Sequence, residues 1–215
     1  TRLEPNSPLA LNLLGVARVA ANDRAGGRAA YDKAVTADHR FIPARLNLAK
    51  LDVMEGKFDA ARERLAMILK EQPNNTQAMS ELANLEENLG RLDAAILQLQ
   101  RIHSLEPKNI SPGVHLAEIY LRKGEAEKAL NLAKDLESAN STDLEVLAIE
   151  GRAYVAVGNP GLARVIYKRM TLMAGFDSAW QYRIAQLQLG AGDQNAAQYN
   201  LDKALSGNPE YLPAL

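Results

Sequence analysis

The chain contains 215 residues, of which 47% are hydrophobic and 24% are charged, a composition that predicts a folded, soluble protein with a substantial core. Its 25 Lys and Arg residues nearly balance its 26 Asp and Glu residues, so we expect no long-range attraction to nucleic acid or to anionic membranes. The absence of cysteine excludes disulfides, thiolate nucleophiles and cysteine-based metal sites.

The first apolar stretch of the chain is PLALNLLGVA at residues 8–17. It is too short to cross a bilayer, and it lacks the basic flank of a signal peptide. This segment therefore predicts neither a membrane span nor a secretion signal.

From residue 8 onward, one pattern recurs every 34 residues. The apolar residues of LNLAKLDVM before Gly56 and of AARERLAMIL after it have helical spacing, which predicts two helices joined by a turn. Glycine, or asparagine as the next best residue, fits the left-handed conformation that ends the first helix. This turn position recurs at Asn22, Gly56, Gly90, Gly124, Gly158 and Gly192.

Small residues recur within both helices of each unit. They stand at Gly15, Ala49, Ala83, Ala117, Gly151 and Ala185 in the first helix and at Gly27, Ala61, Ala95, Ala129, Ala163 and Ala197 in the second. Small side chains allow two helix backbones to approach closely, so each unit is predicted to be an antiparallel helix pair. Pro73, Pro107 and Pro209 are expected to end second helices, and Ser141 to Asp143 to cap the helix that follows.

The recurrence divides the chain into repeats. The predicted boundaries are a tail of a preceding repeat at 1–7, six repeats at 8–41, 42–75, 76–109, 110–143, 144–177 and 178–211, and the start of a further repeat at 212–215. YLPAL at the C-terminus stands in the phase of FIPAR at 41–45, and LEPN at 3–6 matches LEPK at 105–108. We therefore expect the sequence to be part of a longer array.

The pattern resembles that of the tetratricopeptide repeat (TPR) family. The matching positions are Leu14-Gly15, Leu48-Ala49, Leu82-Ala83 and Leu116-Ala117, with Tyr120, Tyr154, Tyr31 and Tyr167. The resemblance implies an all-α fold, a right-handed α-solenoid superhelix of about six antiparallel helix pairs that binds proteins or peptides and needs no cofactor. Two residues depart from the pattern, because Glu150 replaces Leu or Ile and Ala133 replaces a bulky residue.

The resemblance also implies a concave groove lined by the first helix of each pair. The candidate groove residues are Asn12, Asn47, Lys50, Gln77, Glu81, Asn84, His115, Glu118, Arg122, Arg152, Tyr182, Arg183 and Gln186. Glu81, Glu87 and Glu118 precede Arg122, Arg152 and Arg183, which suggests an acidic middle and a basic end suited to a dipolar peptide. The alternative is an ordinary solvated surface. The amides could likewise bind a ligand's backbone or serve only solubility.

Other sites known in this family or common in enzymes find little support. The family's Lys and Asn clamp for a C-terminal carboxylate is matched only at Asn47, and Glu81 would repel a carboxylate. His39, His103 and His115 lack a helical partner of ligand type, so no metal site is predicted. Trp180 is expected to pack in the core or between repeats rather than to stack on a ligand. Glu150 is expected to bury its stem with its head at the core edge or, alternatively, to be a buried functional carboxylate. No motif predicts catalysis.

The amino-acid sequences of several repeats, such as FIPARLNLAKLDVMEGKFDAARERL, resemble those of long TPR lipoproteins of Gram-negative bacteria. Those lipoproteins are associated with exopolysaccharide and PEP-CTERM protein-sorting systems. That resemblance implies a scaffold in the periplasm or on the outer membrane, held by a lipid anchor upstream of this sequence. Two alternatives remain open, the regulatory array of an enzyme such as a glycosyltransferase and a cytoplasmic adaptor. The sequence does not name the partner.

Overall fold

The fold consists of α-helices joined by short turns, in a computed structural model that describes residues 7–211 and 213. Twelve helices are found in this part of the chain: α1 (Pro8–Ala20), α2 (Arg24–Ala37), α3 (Ile42–Met54), α4 (Phe58–Glu71), α5 (Thr76–Asn88), α6 (Leu92–Leu105), α7 (Ile110–Arg122), α8 (Ala126–Ala139), α9 (Leu144–Ala156), α10 (Pro160–Ala174), α11 (Ser178–Gly190) and α12 (Gln194–Gly207). The described residues contain no strand. The all-α class and the six helix pairs are confirmed.

The helices fall into two compact units, one ending at Leu105 and one beginning at Glu106. The first contains α1 to α6 and the second α7 to α12, so each holds three helix pairs. Within each unit, the first helix of a pair contacts both its own second helix and the first helix of the neighbouring pair. The repeat boundaries stay a prediction, and its terminal pieces at 1–7 and 212–215 lie almost entirely outside the described residues.

The turn inside each pair has the predicted left-handed residue. Gly56 has φ 74° and Asn22 has φ 63°, and the glycines at 90, 124, 158 and 192 have φ between 71° and 79°. At the Gly56 turn, the Lys57 amide donates to the Asp52 carbonyl oxygen at 2.8 Å and the Gly56 amide to the Val53 carbonyl oxygen at 3.0 Å. These bonds satisfy carbonyls that the helix end would otherwise leave open.

Several helix starts are capped by side chains supplied by the preceding loop. The Asp143 carboxylate accepts hydrogen bonds from the amides of Glu145 and Val146 at the start of α9, which confirms the capping predicted for residues 141–143. Asn75 and Asp177 cap α5 and α11 in the same way. Each cap fixes where a first helix begins and therefore which of its residues face the neighbouring helices.

The core of each unit lies between its helix pairs. In the first unit, Ala49 and Ala61 are fully packed against Leu46, Leu65 and Ile68, as the two rows of small residues predict. In the second unit, the corresponding cluster is built around Ala163, Tyr167, Met170 and Ile184. No helix in the described part of the chain combines the length and the apolar character needed to cross a membrane.

Candidate functional site

The surface formed by the first helices of each unit is the predicted binding surface, and we call it the first-helix face. It comprises the exposed sides of α1, α3 and α5 in the first unit and, separately, of α7, α9 and α11 in the second. Neighbouring first helices contact one another within each unit. Side chains on adjacent repeats can therefore meet across this face.

Two glycine and tyrosine pairs shape the first-helix face. Gly15 lies under the ring of Tyr31, and Gly151 lies under the ring of Tyr167, so closely that a Cβ on either glycine would overlap the ring. The four other repeats have alanine instead of glycine, and opposite it Leu65, Leu99, Ala133 and Leu201 instead of tyrosine. Glycine and tyrosine thus occur together, because only glycine leaves room for the ring.

Each tyrosine forms part of the wall of a pocket, and we call the two cavities the Gly-Tyr pockets. The pocket in the first unit has a volume of about 280 Å³ and is lined by Val16, Val19, Ala20, Tyr31, Asn47, Lys50, Leu51 and Met54. The pocket in the second unit has a volume of about 340 Å³ and is lined by Leu121, Arg152, Val155, Ala156, Tyr167, Gln186, Leu187 and Gly190. Apart from Leu121, every lining residue of the second pocket occupies the position of a lining residue of the first, four repeats further on.

The tyrosine side chains are held deep in the packing. Tyr31 is 3% exposed and Tyr167 is 1% exposed. Burial disfavours the phenolate and raises the pKa of Tyr167 to about 12, with the Arg152 charge opposing the shift; burial also raises the pKa of Tyr31. Both rings therefore present neutral, apolar walls to the pockets.

Most charged candidate residues are paired across neighbouring repeats. Lys50 Nζ lies 2.9 Å from Glu81 Oε1 in the first unit, and Arg152 Nη1 lies 3.0 Å from Glu118 Oε1 in the second. Arg183 forms a two-point ion pair with Glu145, in which Nη2 lies 2.6 Å from Oε2. The acids and bases expected to form separate acidic and basic regions instead neutralise one another locally, because residues one repeat apart lie side by side.

The amide candidates differ in accessibility. Asn12 is buried, and its Oδ1 accepts a hydrogen bond from Asn47 Nδ2 at 2.9 Å, so it holds Asn47 in place and offers little surface to a ligand. Gln186 donates from Nε2 to the Tyr182 hydroxyl oxygen at 3.0 Å. The structure places the remaining candidates as follows: Gln77, Asn84 and Arg122 are exposed, and His115 and Tyr182 are half-buried.

Trp180 and the three histidines are other residues considered in the sequence. Trp180 packs against the core of the second unit, as predicted, and the Arg183 guanidinium lies over its ring at 4.8 Å from the centroid. Among residues 7–211 no group of three or more side chains of metal-ligating type comes together. The three histidines lie on the loop before α3, on α6 and on α7.

Glu150 is buried at the core position that Leu48 and Leu116 occupy in other repeats. It is 5% exposed, and its Oε2 atom has no hydrogen-bond partner. Burial raises the pKa of Glu150, as does the nearby Glu137, while Arg169 and Lys134 lower it less. The expected placement with the head at the core edge is therefore wrong, because the head as well as the stem is enclosed.

Two buried acids in the first unit were missed by reasoning from the sequence. Asp52 is 1% exposed and accepts from Arg28 Nη2 at 2.6 Å and from Arg64 Nε at 2.7 Å. Glu86 is 4% exposed and accepts from Arg62 Nε at 2.6 Å. The sequence did offer a signal for this burial. Asp52 and Glu86 stand at the repeat position where later repeats have the large residues Tyr120 and Tyr154.

Between residues 7 and 211, twelve helices in six pairs, with a left-handed residue in each turn and a 34-residue recurrence, define an α-helical repeat protein. A tetratricopeptide repeat family model matches residues 18–89, and the same recurrence continues through the rest of the chain. Residues 18–89 thus match the tetratricopeptide repeat family, and the chain as a whole is similar to it in its repeat pattern and fold. No curated protein sequence matches it significantly.

Solved structures of TPR proteins share this fold at low sequence identity. PilF from Pseudomonas aeruginosa is 16% identical with a TM-score of 0.67, over 96% of this chain and 94% of that one. A thermophilic TPR protein from Thermus thermophilus is 24% identical with a TM-score of 0.56, over 79% and 93%. YrrB, a TPR protein with an unusual peptide-binding site, is 16% identical with a TM-score of 0.58, over 86% and 95%. At these identities the likeness shows the fold alone.

Proposed function

We propose that this chain is a non-catalytic scaffold whose first-helix face binds a peptide segment of a partner protein, and that the Gly-Tyr pockets receive its apolar side chains. The observation that carries the proposal is the pair of equivalent pockets. TPR folds generally bind peptides or proteins, and YrrB shows that a TPR protein can have a peptide-binding site.

The size and lining of the pockets suit amino-acid side chains. Volumes of about 280 Å³ and 340 Å³ lie close to the lower limit of small-molecule sites, roughly 300 Å³. Valine, leucine and tyrosine form the walls, while Asn47 and Lys50 line the first pocket and Gln186 the second. An apolar side chain would fill each pocket, and the polar residues would hydrogen-bond the peptide backbone beside it.

The proposed setting is an assembly of the bacterial envelope. It rests on the resemblance of the repeats to TPR lipoproteins associated with exopolysaccharide and PEP-CTERM systems. Such a lipoprotein would lie in the periplasm and would be attached to the membrane by a lipid anchor N-terminal to this sequence. The alternatives are the regulatory array of a larger enzyme and a cytoplasmic adaptor. The upstream gene sequence tests the setting, since a lipid-modified cysteine after a signal peptide excludes an adaptor.

Filling the pockets tests the binding proposal. Ala20 and Ala156 line the two pockets and are exposed, so Ala20→Leu with Ala156→Leu would occupy the cavities without disturbing the core. The matched control is Ala66→Leu, on the exposed side of α4. Proteins captured from a native envelope extract are identified by mass spectrometry.

We expect one or more proteins to be captured by the unmodified chain and by Ala66→Leu but not by the filled variant. Circular dichroism and thermal unfolding check that all three proteins are equally folded. Identical captured proteins for all three would exclude the Gly-Tyr pockets as the binding site.

A further inference from the structure

A stripe of large apolar side chains is exposed on α10, away from the first-helix face. Val165 is 64% exposed, Leu172 is 74% exposed and Phe176, just beyond the helix, is 70% exposed. Leu162 begins the stripe, and Tyr199 of α12, which is 60% exposed, stands beside it. We call these five residues the α10 stripe.

The other repeats show that the fold does not require this stripe. At the position of Leu172 they have Thr36, Lys70, Ser104, Ser138 and Ser206, and at the position of Phe176 they have Arg40, Asn74, Lys108, Thr142 and Glu210. Ten of ten equivalent residues are thus polar. At these two positions apolar residues belong to the fifth repeat alone, whereas at the position of Val165 the third repeat has Leu97 and the sixth has Tyr199. Exposed apolar patches of this kind mark interaction sites.

The stripe borders a cleft between α10 and α12. The cleft has a volume of about 470 Å³, and Val165 and Leu172 form one wall while Ala196 and Tyr199 form the other. The stripe runs over the 15 residues from Leu162 to Phe176, and its helical part, which ends at Ala174, covers about 18 Å at the helical rise of about 1.5 Å per residue. A partner that covers the stripe must therefore be about four helical turns long.

The charges around the cleft favour an acidic partner. Helix α10 carries Arg164, Lys168 and Arg169 and no acidic residue. Arg164 lies 3.8 Å from Asp193, which also lines the cleft, and Arg169 pairs with Glu137 at 2.7 Å, so Lys168 is the α10 cation open to a partner. Lys168 lines the cleft and is exposed, and no residue in the described part of the chain pairs with it. Lys203 adds a further positive charge, 5.6 Å from the centre of the Phe176 ring.

We infer that the α10 stripe and its cleft bind an amphipathic α-helix of another protein, which inserts large apolar residues and places Asp or Glu beside Lys168. A helix satisfies its own backbone hydrogen bonds, whereas an extended peptide would bring unpaired amides into an apolar cleft. A second copy of this chain is disfavoured, because a two-fold contact would bring the cations of one α10 against those of the other.

Selection from random helical peptides tests the inference without assuming the partner. A phage-displayed library of peptides of about 16 residues, roughly four turns long, is selected on the chain, and enriched peptides are synthesised and measured by fluorescence anisotropy. The test variant is Leu172→Ser with Phe176→Thr, which introduces residues that Ser138 and Thr142 already provide at the same positions. The matched control is Leu97→Asn, which removes an equally large side chain, 55% exposed, from α6.

We expect enriched peptides with apolar residues at helical spacing and Asp or Glu on the flank. Their affinity should fall at least about tenfold in the Leu172→Ser, Phe176→Thr variant and stay unchanged in Leu97→Asn, because central apolar anchors dominate such interfaces. Lys168→Glu should weaken binding about threefold or more and reduce its dependence on salt.

Several outcomes would overturn the inference. One is that no enriched peptide distinguishes the chain from the double variant, and another is that the enriched peptides are basic. Sedimentation velocity that shows a dimer dissociated by the double variant would assign the stripe to self-association. Binding lost only in Ala20→Leu with Ala156→Leu would place the peptides in the Gly-Tyr pockets, which supports the proposed function while rejecting this second site.

Discussion

Single residues set the shape of the first-helix face, and the Gly-Tyr pairs are the clearest case. We predict that Gly151→Ala will lower the free energy of unfolding by roughly 1–3 kcal/mol, because the added methyl group overlaps the Tyr167 ring and overpacking a core has this effect. Denaturant unfolding measures the loss.

A second substitution separates this overlap from a general effect of changing α9. Gly151→Ala combined with Tyr167→Leu recreates the alanine and leucine that stand at Ala49 and Leu65, so the double variant should recover most of the lost stability. If the two effects simply add, the ring and the glycine are not coupled.

Glu150 makes the second unit sensitive to pH. Because burial raises its pKa, the folded state holds the proton more tightly than the unfolded state. The contribution of Glu150 to the free energy of unfolding is therefore fully present at a pH below the ordinary pKa of glutamate. It is lost as the pH rises through the raised pKa of the folded state.

We predict that Glu150→Leu will increase the free energy of unfolding at pH 7 by about 1–3 kcal/mol, since it removes a buried carboxylate that has an unpaired oxygen. The gain should shrink as the pH is lowered toward 4. Urea unfolding of both proteins across this range measures it, and Glu150→Gln serves as the control of similar shape. A gain that does not change with pH would contradict the titration.

At the scale of helices, paired side chains connect neighbouring first helices. Arg152 and Glu118 join α9 to α7, and both side chains are about 40% exposed, so this pair should stabilise the fold by less than about 1 kcal/mol. We predict that Arg152→Glu alone will destabilise slightly and that Arg152→Glu with Glu118→Arg will restore stability.

This exchanged pair also tests recognition by charge. It keeps the ion pair but reverses the charges that a partner meets. If the exchanged variant still captures the partner, the ion pair only links the two helices. If the exchanged variant no longer captures the partner, the partner contacts these charges directly.

Buried charges connect helices more strongly in the first unit. Asp52 of α3 holds Arg28 of α2 and Arg64 of α4. We predict that Asp52→Asn will lower stability by about 2–4 kcal/mol, because the buried carboxylate loses its charge, Arg64 loses its anion and Arg28 keeps only Glu55. The equivalent residues of the second unit are Leu130, Tyr154 and Ile166, so introducing those three together should restore folding. Failure of the triple variant to recover would show that the positions are not equivalent.

At the scale of the whole molecule, the repeats of each unit are expected to unfold locally rather than all together. Contacts in repeat proteins are made chiefly with the nearest neighbours. We therefore predict that Asp52→Asn will speed amide hydrogen exchange in α2, α3 and α4 and leave exchange in α9 to α12 unchanged. Mass spectrometry of peptic fragments measures this, and acceleration throughout the chain would indicate a single cooperative unit instead.

The fold was predictable from the sequence because its signals are local. A glycine in each turn, helical spacing on both sides and capping residues in the loops act within a few positions of one another, and their recurrence every 34 residues repeats the evidence six times. The small residues of the two rows could be assigned to helix contacts for the same reason. The candidate site was less predictable, since Asn12 lies buried against Asn47 and the charged candidates pair with one another.

The sequence by itself therefore determined that this chain is an all-α array of helix pairs with the TPR pattern. Only the tertiary structure decided that Gly15 and Gly151 make room for tyrosines beside two pockets, that Glu150 is enclosed, and that the α10 stripe is uncovered. The reason is physical: local hydrogen bonding and helical periodicity fix each helix from nearby residues, whereas pockets, ion pairs and exposure depend on how side chains from different repeats pack together.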